Sequence, residues 1–334
     1  MKLFHSIFGG GETRGRYPET LLREAIERAV DGTDTRLRLV PGYRRHLREP
    51  VIHAIDHVVA LVDAIPSPLV ADRRGYSAEP RLAAVFASAA AMLDMFGRDT
   101  ALATFLATPD NSGAERVTAL LLAERMERHM LGMDLVGDEV RRDVQQVTVS
   151  FAGHRLLDPC ESEQETRRQL KRRAFDHLLA LALAQILATK VKRDDLLRQR
   201  DLLRRKHTAL EHGGWSFDVP EGEPPDPAAL EAELDEISAQ LEALGTDTNV
   251  LHTHMEVVAR SLSEAESQLW AEDVTLSLDQ MNIKRDEGDP SARRVVLQEL
   301  HNASGQRAVM LPISLAPREL PPREDFVTAA ERYL

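Results

Sequence analysis

Disulfide chemistry is missing from this sequence, because its 334 residues include a single cysteine, Cys160. One thiol cannot form an intramolecular bridge, and a long chain without cysteine pairs is typical of a reducing compartment. We therefore expect a cytoplasmic protein.

A helix predicted to begin near Ser162 favours a reactive thiolate at Cys160, whereas the flanking acidic residues Asp158, Glu161 and Glu163 oppose it.

Aromatic residues are also scarce, at 4% of the chain, while leucine, alanine, glutamate and arginine dominate. This composition is typical of helices packed on helices rather than of a β-sandwich. Hydrophobic residues still make up 43% of the sequence, which is enough for a core and excludes disorder of the whole chain. The first expectation is a mainly α protein.

No apolar run reaches the length of a membrane span. The longest run, residues 178–188, is about half of the ~20 residues that a spanning helix needs. The N-terminal apolar residues 3–8 are too few for the core of a signal peptide, and the glycines that follow do not resemble a cleavage site. We expect no transmembrane segment, with the N-terminal apolar residues docked on the protein's own core.

Basic residues are outnumbered by acidic ones, and the formal net charge is -12. Binding of DNA or RNA draws much of its affinity from neutralising phosphates, so this balance argues against a nucleic-acid partner. One local cluster of arginines is a candidate anion site, although a run of charge is more often a solvated face. Its members are Arg36, Arg38, Arg44, Arg45 and Arg48.

The first 140 residues predict a helical domain built as a bundle. Pro18 precedes an amphipathic segment that ends before Asp31 and Gly32, which are typical start and stop signals. Interior leucine and alanine, together with a capping Ser112, favour a further helix through Met130. The predicted helices cover residues 18–29, 50–64, 80–96, 99–107 and 112–130.

Alternating apolar residues then predict β-strands. Val147, Val149 and Phe151 alternate with polar or small neighbours, and the same period returns after residue 273. Because isolated strand pairs are marginal, we expect one small antiparallel sheet formed by residues 145–157 and 273–316, with a hairpin turn at 302–305. The proline-rich tail, 317–334, ends in a predicted short helix.

The strongest pattern in the sequence lies between those strands. Twelve positions from Leu230 to Leu269 follow an unbroken 4-3 spacing, and a matching, more polar pattern runs from Phe175 to Leu210. A 3.5-residue period keeps one face of a helix against a partner helix. Residues 162–271 are therefore predicted to form a long antiparallel coiled-coil hairpin, inserted between strands of a C-terminal α+β region.

Charge favours pairing of the two hairpin helices within one chain. Residues 190–206 contain eight basic and three acidic side chains, whereas residues 218–244 contain nine acidic and none that are basic. Each exposed ion pair contributes only about 0.2–1 kcal/mol, so we expect the charges to fix orientation and register rather than stability.

The predicted tip of the hairpin, residues 211–227, is rich in glycine and proline but contains Trp215, Phe217 and Val219. Tryptophan is enriched at interface hot spots, so these three residues are candidate partner-binding residues. The alternative is that they fold back and cap the end of the hairpin.

A second candidate site is the pair His53 and His57, which stand one helical turn apart and are able to face one metal ion. The pattern is weak. Ala54 occupies the position where a zinc protease has its glutamate, and no third ligand follows from the sequence. Solvated or structurally bonded histidines are the favoured explanation of the pair.

Three functional hypotheses follow from these observations. The first is a cytoplasmic interaction or scaffold protein that uses the projecting helical hairpin to bind an unknown protein partner or a second copy of itself. The second is a metal-dependent helical-bundle enzyme using His53 and His57. The third, an RNA-binding arm, is disfavoured because acidic residues of the return helix neutralise the basic outgoing helix. The sequence indicates no cofactor.

Overall fold

A computed structural model describes residues 17–136, 139–211, 227–244, 249–286 and 288–322. The fold is mixed α+β, with about 56% helix and 25% strand. The chain divides into two compact units. The sheet unit comprises residues 57–174 and 266–322 of the described chain, and the helical unit comprises residues 17–56 and 175–265.

The elements follow one another along the chain in an order that mixes helices and strands. They are α1 Glu19–Asp31, α2 Tyr43–Asp63, β1 Leu69–Val70, α3 Arg73–Ala78, α4 Pro80–Val85, α5 Ala89–Arg98, α6 Thr100–Leu106, β2 Val117–Val136, β3 Glu139–Cys160, α7 Glu163–Glu211, α8 Pro227–Ala243, α9 Val250–Ser263, α10 Ala265–Gln268, β4 Leu269–Leu278, β5 Arg293–Asn302 and β6 Arg307–Leu315.

The sheet has the strand order β3-β2-β6-β5-β4, and these neighbours are antiparallel. The two-residue β1 adds a parallel pair to β6. The segment after β4 then returns to β3, where Thr148 forms a bridge with Ile283 and Lys284 N donates to Val147 O at 2.8 Å. These bonds close the strands into a ring.

Apolar side chains fill the inner face of this ring. Phe96, Met92 and Leu102 come from helices α5 and α6 and are almost completely buried against the strands. Phe86 meets Phe96 edge to face, with 5.8 Å between ring centroids. This inner cluster also includes inward residues of β2 to β6: Val117, Ala119, Leu121, Ala123, Val149, Leu156, Leu276, Leu278, Val295, Leu297, Val309, Leu311, Ile313 and Leu315.

A second cluster covers the outer face of the same strands. Leu120, Leu122 and Met310 pack there with Val62 of α2 and Leu170 of α7. Arg167 ties these two helices together, because its guanidinium donates to Val62 O and Ile65 O at 2.7 and 2.8 Å. The first half of β2 is therefore buried on both faces.

Burial on both faces explains why the predicted helix at 112–130 is wrong. The structure has strand β2 over Val117–Val136, and the sheet has six strands rather than the small set predicted. Residues 117–123 are apolar without alternation because both faces are covered, so a strand and a buried helix look alike in this window. Pairing with β3 and β6 overrides the helix propensity of its leucine and alanine.

The other predicted strands are confirmed, although the structure extends them. Residues 147–152 lie within β3, and the three C-terminal strands are β4, β5 and β6, with Gly305 at φ 77 in the turn between the last two. The helix predicted at 80–96 is interrupted, because Phe86 is extended and Ser88 caps α5 by accepting from Ala91 N. The short helix predicted in the tail lies outside the described residues.

Helix α7 packs on α8 and α9 in the helical unit. The return segment, predicted as one continuous helix from Leu230 to Leu269, is instead formed by separate helices, and Leu269 already begins strand β4. Helix α9 buries Met255, Val258 and Leu262, and His254 Nδ1 lies 2.8 Å from Asp34 Oδ2. This buried contact fixes α9 against the 3-10 turn Thr35–Leu39.

Helix α7 has the length and composition of a membrane span, a property shared by core helices of soluble proteins. Of its most apolar 18-residue stretch, 33% is buried. Packing on α1 accounts for part of this apolar character. Leu179 lies against Gly32, where an added Cβ would sit 3.1 Å from Leu179 Cδ1, and Arg28 of α1 pairs with Asp176.

Candidate interaction surface

Residues 196–203 of α7 and helix α8 share a narrow buried contact, which we call the seam. Its buried residues are Leu196 and Leu203 of α7 with Leu230, Ile237 and Leu241 of α8. The partly buried Leu197, Leu234 and Leu244 pack against them. The spacing of these residues follows the heptad expected for helices packed side by side.

Polar contacts accompany the seam. His207 Nε2 of α7 lies 3.3 Å from Glu231 Oε1 of α8, so the basic helix meets a carboxylate as the charge pattern predicts. The exposed Arg198 instead pairs with Asp195 of its own helix at 2.9 Å. Such exposed pairs contribute little stability. The leucines therefore supply most of the stabilisation of α7 against α8.

The opposite face of α7 exposes large apolar side chains. Leu187, Val191 and Leu202 are 49%, 62% and 55% exposed, respectively. At about 100° per residue these three lie within an arc of about 60°, whereas Leu196 and Leu203 point roughly the other way. We call Leu187, Val191 and Leu202 the α7 stripe. Arg198 and Arg205 share this face of the helix with the exposed Asp194, so the stripe is accompanied by charges of both signs.

The predicted partner-binding residues Trp215, Phe217 and Val219 lie outside the described residues, as does most of the tip at 211–227. Their role stays a prediction. The sequence reasoning considered only the tip and missed the α7 stripe. The signal was available, because Leu187, Val191 and Leu202 are leucine and valine positions outside the heptad, on a helix whose seam was already assigned.

His53 and His57 both belong to α2, one turn apart. His57 Nε2 lies 2.7 Å from Leu269 O, which engages that nitrogen in a hydrogen bond to the backbone. In the part of the chain that the structure describes, no group of three or more histidine, cysteine, aspartate or glutamate side chains is placed to hold a metal ion. A metal site at this pair therefore stays a prediction without a third ligand.

Cys160 is buried at the end of β3, and burial raises the pKa of its thiol to about 11. The thiolate that redox chemistry requires is therefore disfavoured at neutral pH.

The arginine cluster is largely paired within the helical unit. Arg38 and Arg44 both bind Glu27, and Arg48 binds Glu19, so α1 supplies carboxylates for a solvated ionic face.

A charged cluster that the sequence did not predict lies on the inner face of the sheet, beyond its apolar core. Arg125 Nε and Nη2 each donate to Glu299 at 3.1 Å, and both side chains are at least nine-tenths buried. Lys284 Nζ donates to Glu127 at 2.6 Å. His301 stacks on Trp270 with 5.5 Å between ring centroids. Opposite charges meet pairwise here, whereas the buried His301 Nε2 has no hydrogen-bond partner among the described residues and lies 3.6 Å from Glu299 Oε2.

A cleft of about 440 Å³ opens beside α5 and is lined by Asp94, Met95, Arg98, Asp99 and His154, with Ala91. His154 stacks on Phe86 at 4.8 Å, and burial lowers the pKa of its imidazole, so the ring is neutral at pH 7. Asp99 is already engaged, because its carboxylate accepts from Leu102 N and Leu156 N at 2.9 Å. The carboxylate caps α6 and holds β3, which is a structural role.

Comparison with family models, with curated proteins and with solved structures gave no match to this chain. The geometry of its own residues therefore carries the functional argument. Among the described surfaces, the α7 stripe presents exposed apolar side chains on a helix that packs on α8 through its other side.

Proposed function

We propose that this protein is a cytoplasmic interaction or scaffold protein whose projecting helical arm binds a protein partner. The arm consists of the outer part of α7 with α8, as an antiparallel coiled-coil hairpin inserted between β3 and β4. The partner binds the α7 stripe, and the tip residues Trp215, Phe217 and Val219 extend the same contact.

The observation that carries this proposal is the exposure of Leu187, Val191 and Leu202 on the face of α7 that does not form the seam. Burying one such side chain contributes about 1.5–3 kcal/mol relative to leaving it exposed. Exposed apolar residues aligned along one helix face are a feature of interaction sites, whereas isolated ones are ordinary surface. The three apolar side chains align over about four turns, with the charged Asp194 and Arg198 between Val191 and Leu202 on the same face.

The chemistry of the stripe also indicates what kind of partner it fits. An amphipathic helix of the partner would place apolar residues at i, i+3 or i+4 and i+7 against the stripe. Asp194 lies on the same face of α7 as Arg198 and Arg205, so the charges there do not select an acidic or a basic partner. The apolar spacing of the stripe favours a helical partner segment.

Quantitative affinity purification of the full-length protein at native expression tests the proposal. The variant carries Leu187→Gln, Val191→Gln and Leu202→Gln, and the control carries Leu39→Gln and Met281→Gln, which alter apolar residues outside α7 that are even more exposed (73% and 76%). We expect partner recovery to fall at least tenfold with the stripe variant, as the loss of more than 1.4 kcal/mol of binding predicts. The control should recover the wild-type amount.

Equal recovery with wild type and the stripe variant would contradict the proposal for α7. A separate Trp215→Ser variant then tests whether the partner binds the tip instead.

Cell fractionation tests the alternative that α7 enters a membrane. Protein retained in the membrane fraction after alkaline extraction would contradict a cytoplasmic scaffold.

A further inference from the structure

Strands β2 and β3 continue well past the end of the sheet. Strand β2 pairs with β6 only from Val117 to Ala123, but it pairs with β3 as far as Val136. Residues 124–136 of β2 therefore have β3 on one edge and, among the strands that the structure describes, no neighbour on the other. We call this part of β2, together with residues 139–152 of β3, the ribbon.

The ribbon has a defined conformation. A register shift lies between Gly132 and Asp134. The side chain of Gln146 lies against Gly132, where an added Cβ would be 2.0 Å from Gln146 Oε1, so a larger residue at 132 would displace this side chain. Gln146 Nε2 donates to Met133 O at 3.1 Å, and the glutamine is buried. These contacts fix the local shape of β2 beyond the sheet.

The ribbon also presents apolar side chains to solvent. Met130, Leu131 and Met133 are 49%, 63% and 67% exposed, respectively. A two-stranded ribbon is marginally stable in water, and an open strand edge is a template for pairing with another strand. The edge of β2 offers both unpaired backbone groups and apolar contact area.

We propose that two copies of this chain associate by pairing the open edges of their β2 strands in antiparallel fashion. The open edge is bounded by the end of β6 at one side and by the end of β2 at Val136 on the other. A symmetric pairing that uses the whole edge must therefore be centred near residue 130 or 131, because a lower centre would bring the partner's β6 against the ribbon and a higher centre would leave part of the edge unpaired.

Apolar contact selects among these registers. Pairing centred on Leu131 places Leu131 opposite the same residue of the second copy, with Met133 on the same face of the strand two residues away. Cross-strand pairs of apolar residues each stabilise a sheet by about 0.2–1 kcal/mol. The result is a four-stranded ribbon that spans two copies.

Site-directed cross-linking and sedimentation of the full-length protein test this pairing. We expect wild type to sediment as a dimer and the thiols introduced by Leu131→Cys to form an intermolecular disulfide at least tenfold faster than those introduced by Met281→Cys. Met281 is a suitable control because it is exposed to a similar degree but lies outside the ribbon. Cys160 is buried and is common to both variants.

A charge exchange at the two-fold axis gives a second test. Leu131→Glu alone and Leu131→Lys alone place like charges opposite one another, so each protein should be monomeric. An equimolar mixture should restore the dimer. A monomeric wild type, a dimer that survives Leu131→Glu, or equal cross-linking rates for the two cysteine variants would each overturn the proposal, and none of these outcomes bears on the α7 stripe.

Discussion

The inner face of the sheet and the seam of the arm are built from the same kinds of side chain but differ in depth. Among the described residues, the inner cluster contains 24 buried members and the seam contains five. A residue of the inner cluster is surrounded by strands and helices, whereas each seam residue has one partner helix. The shallow contact leaves the far face of α7 exposed, which is where an interaction surface is available.

The largest effect is expected from Phe96→Ala in the inner cluster. Phe96 is fully buried and contacts Phe86 edge to face, so truncation removes apolar burial and leaves a cavity. Large-to-small changes of this kind cost about 3–5 kcal/mol. Urea unfolding followed by the fluorescence of Trp270, in a Trp215→Phe background, measures the change. A loss below 1 kcal/mol would show that the cluster is not the core of the sheet unit.

The buried ion pair should give the next largest effect. Arg125→Ala leaves Glu299, which is 2% exposed, without its bidentate partner, and breaking a buried pair costs about 3 kcal/mol or more. The double variant Arg125→Met with Glu299→Leu removes both charges and should be less destabilised than Arg125→Ala. If the two variants unfold at the same urea concentration, the unpaired charge of Glu299 is not the cause of the destabilisation in Arg125→Ala.

A smaller loss is expected at the seam. Leu203→Ala removes a buried leucine from a contact with one helix, so we expect about 2 kcal/mol, at the low end for such changes. Hydrogen exchange of residues 192–244 should accelerate, while the unfolding of the sheet unit reported by Trp270 should change less. An equal loss at both sites would remove the contrast between the deep cluster and the shallow seam.

The smallest predicted effect is a pH dependence at His154. Burial lowers the pKa of this histidine in the folded protein, so the unfolded chain binds the proton more readily. Stability therefore falls as pH drops below about 6.5, the usual pKa of a histidine. The His154→Gln variant should show a shallower decrease between pH 7 and pH 5, measured through Trp270. An unchanged slope would mean that other groups cause the decrease.

The sequence predicted those elements that have one buried face and one exposed face, because their apolar residues recur with the period of a strand or a helix. Strand β3 alternates around Val149, and α1 lies between Pro18 and Gly32, so both were found. Strand β2 was missed because burial on both faces removes the alternation. The break in the return helix was missed because the 4-3 spacing continues through residues that do not form one helix, and Leu269 satisfies both the heptad and the strand.

Functional positions were harder to predict, since they depend on which residues remain exposed after packing. The heptad assigns Leu196 but not Leu187 to the seam, yet only the packed structure shows that Leu187 is left exposed rather than covered by another element. The Arg125–Glu299 pair joins residues 174 positions apart on β2 and β5, which are separated by β6, so no local sequence motif predicts it. The histidine pair on α2, in contrast, is recognised from its local spacing, but the sequence does not supply a third metal ligand.

The most direct test of the account is the comparison of partner recovery between the stripe variant and its control at native expression. The three substitutions at Leu187, Val191 and Leu202 alter exposed side chains, so the free energy of unfolding should stay within about 0.5 kcal/mol of wild type. The account predicts at least a tenfold loss of the partner with normal folding. Full recovery by the folded stripe variant would contradict it.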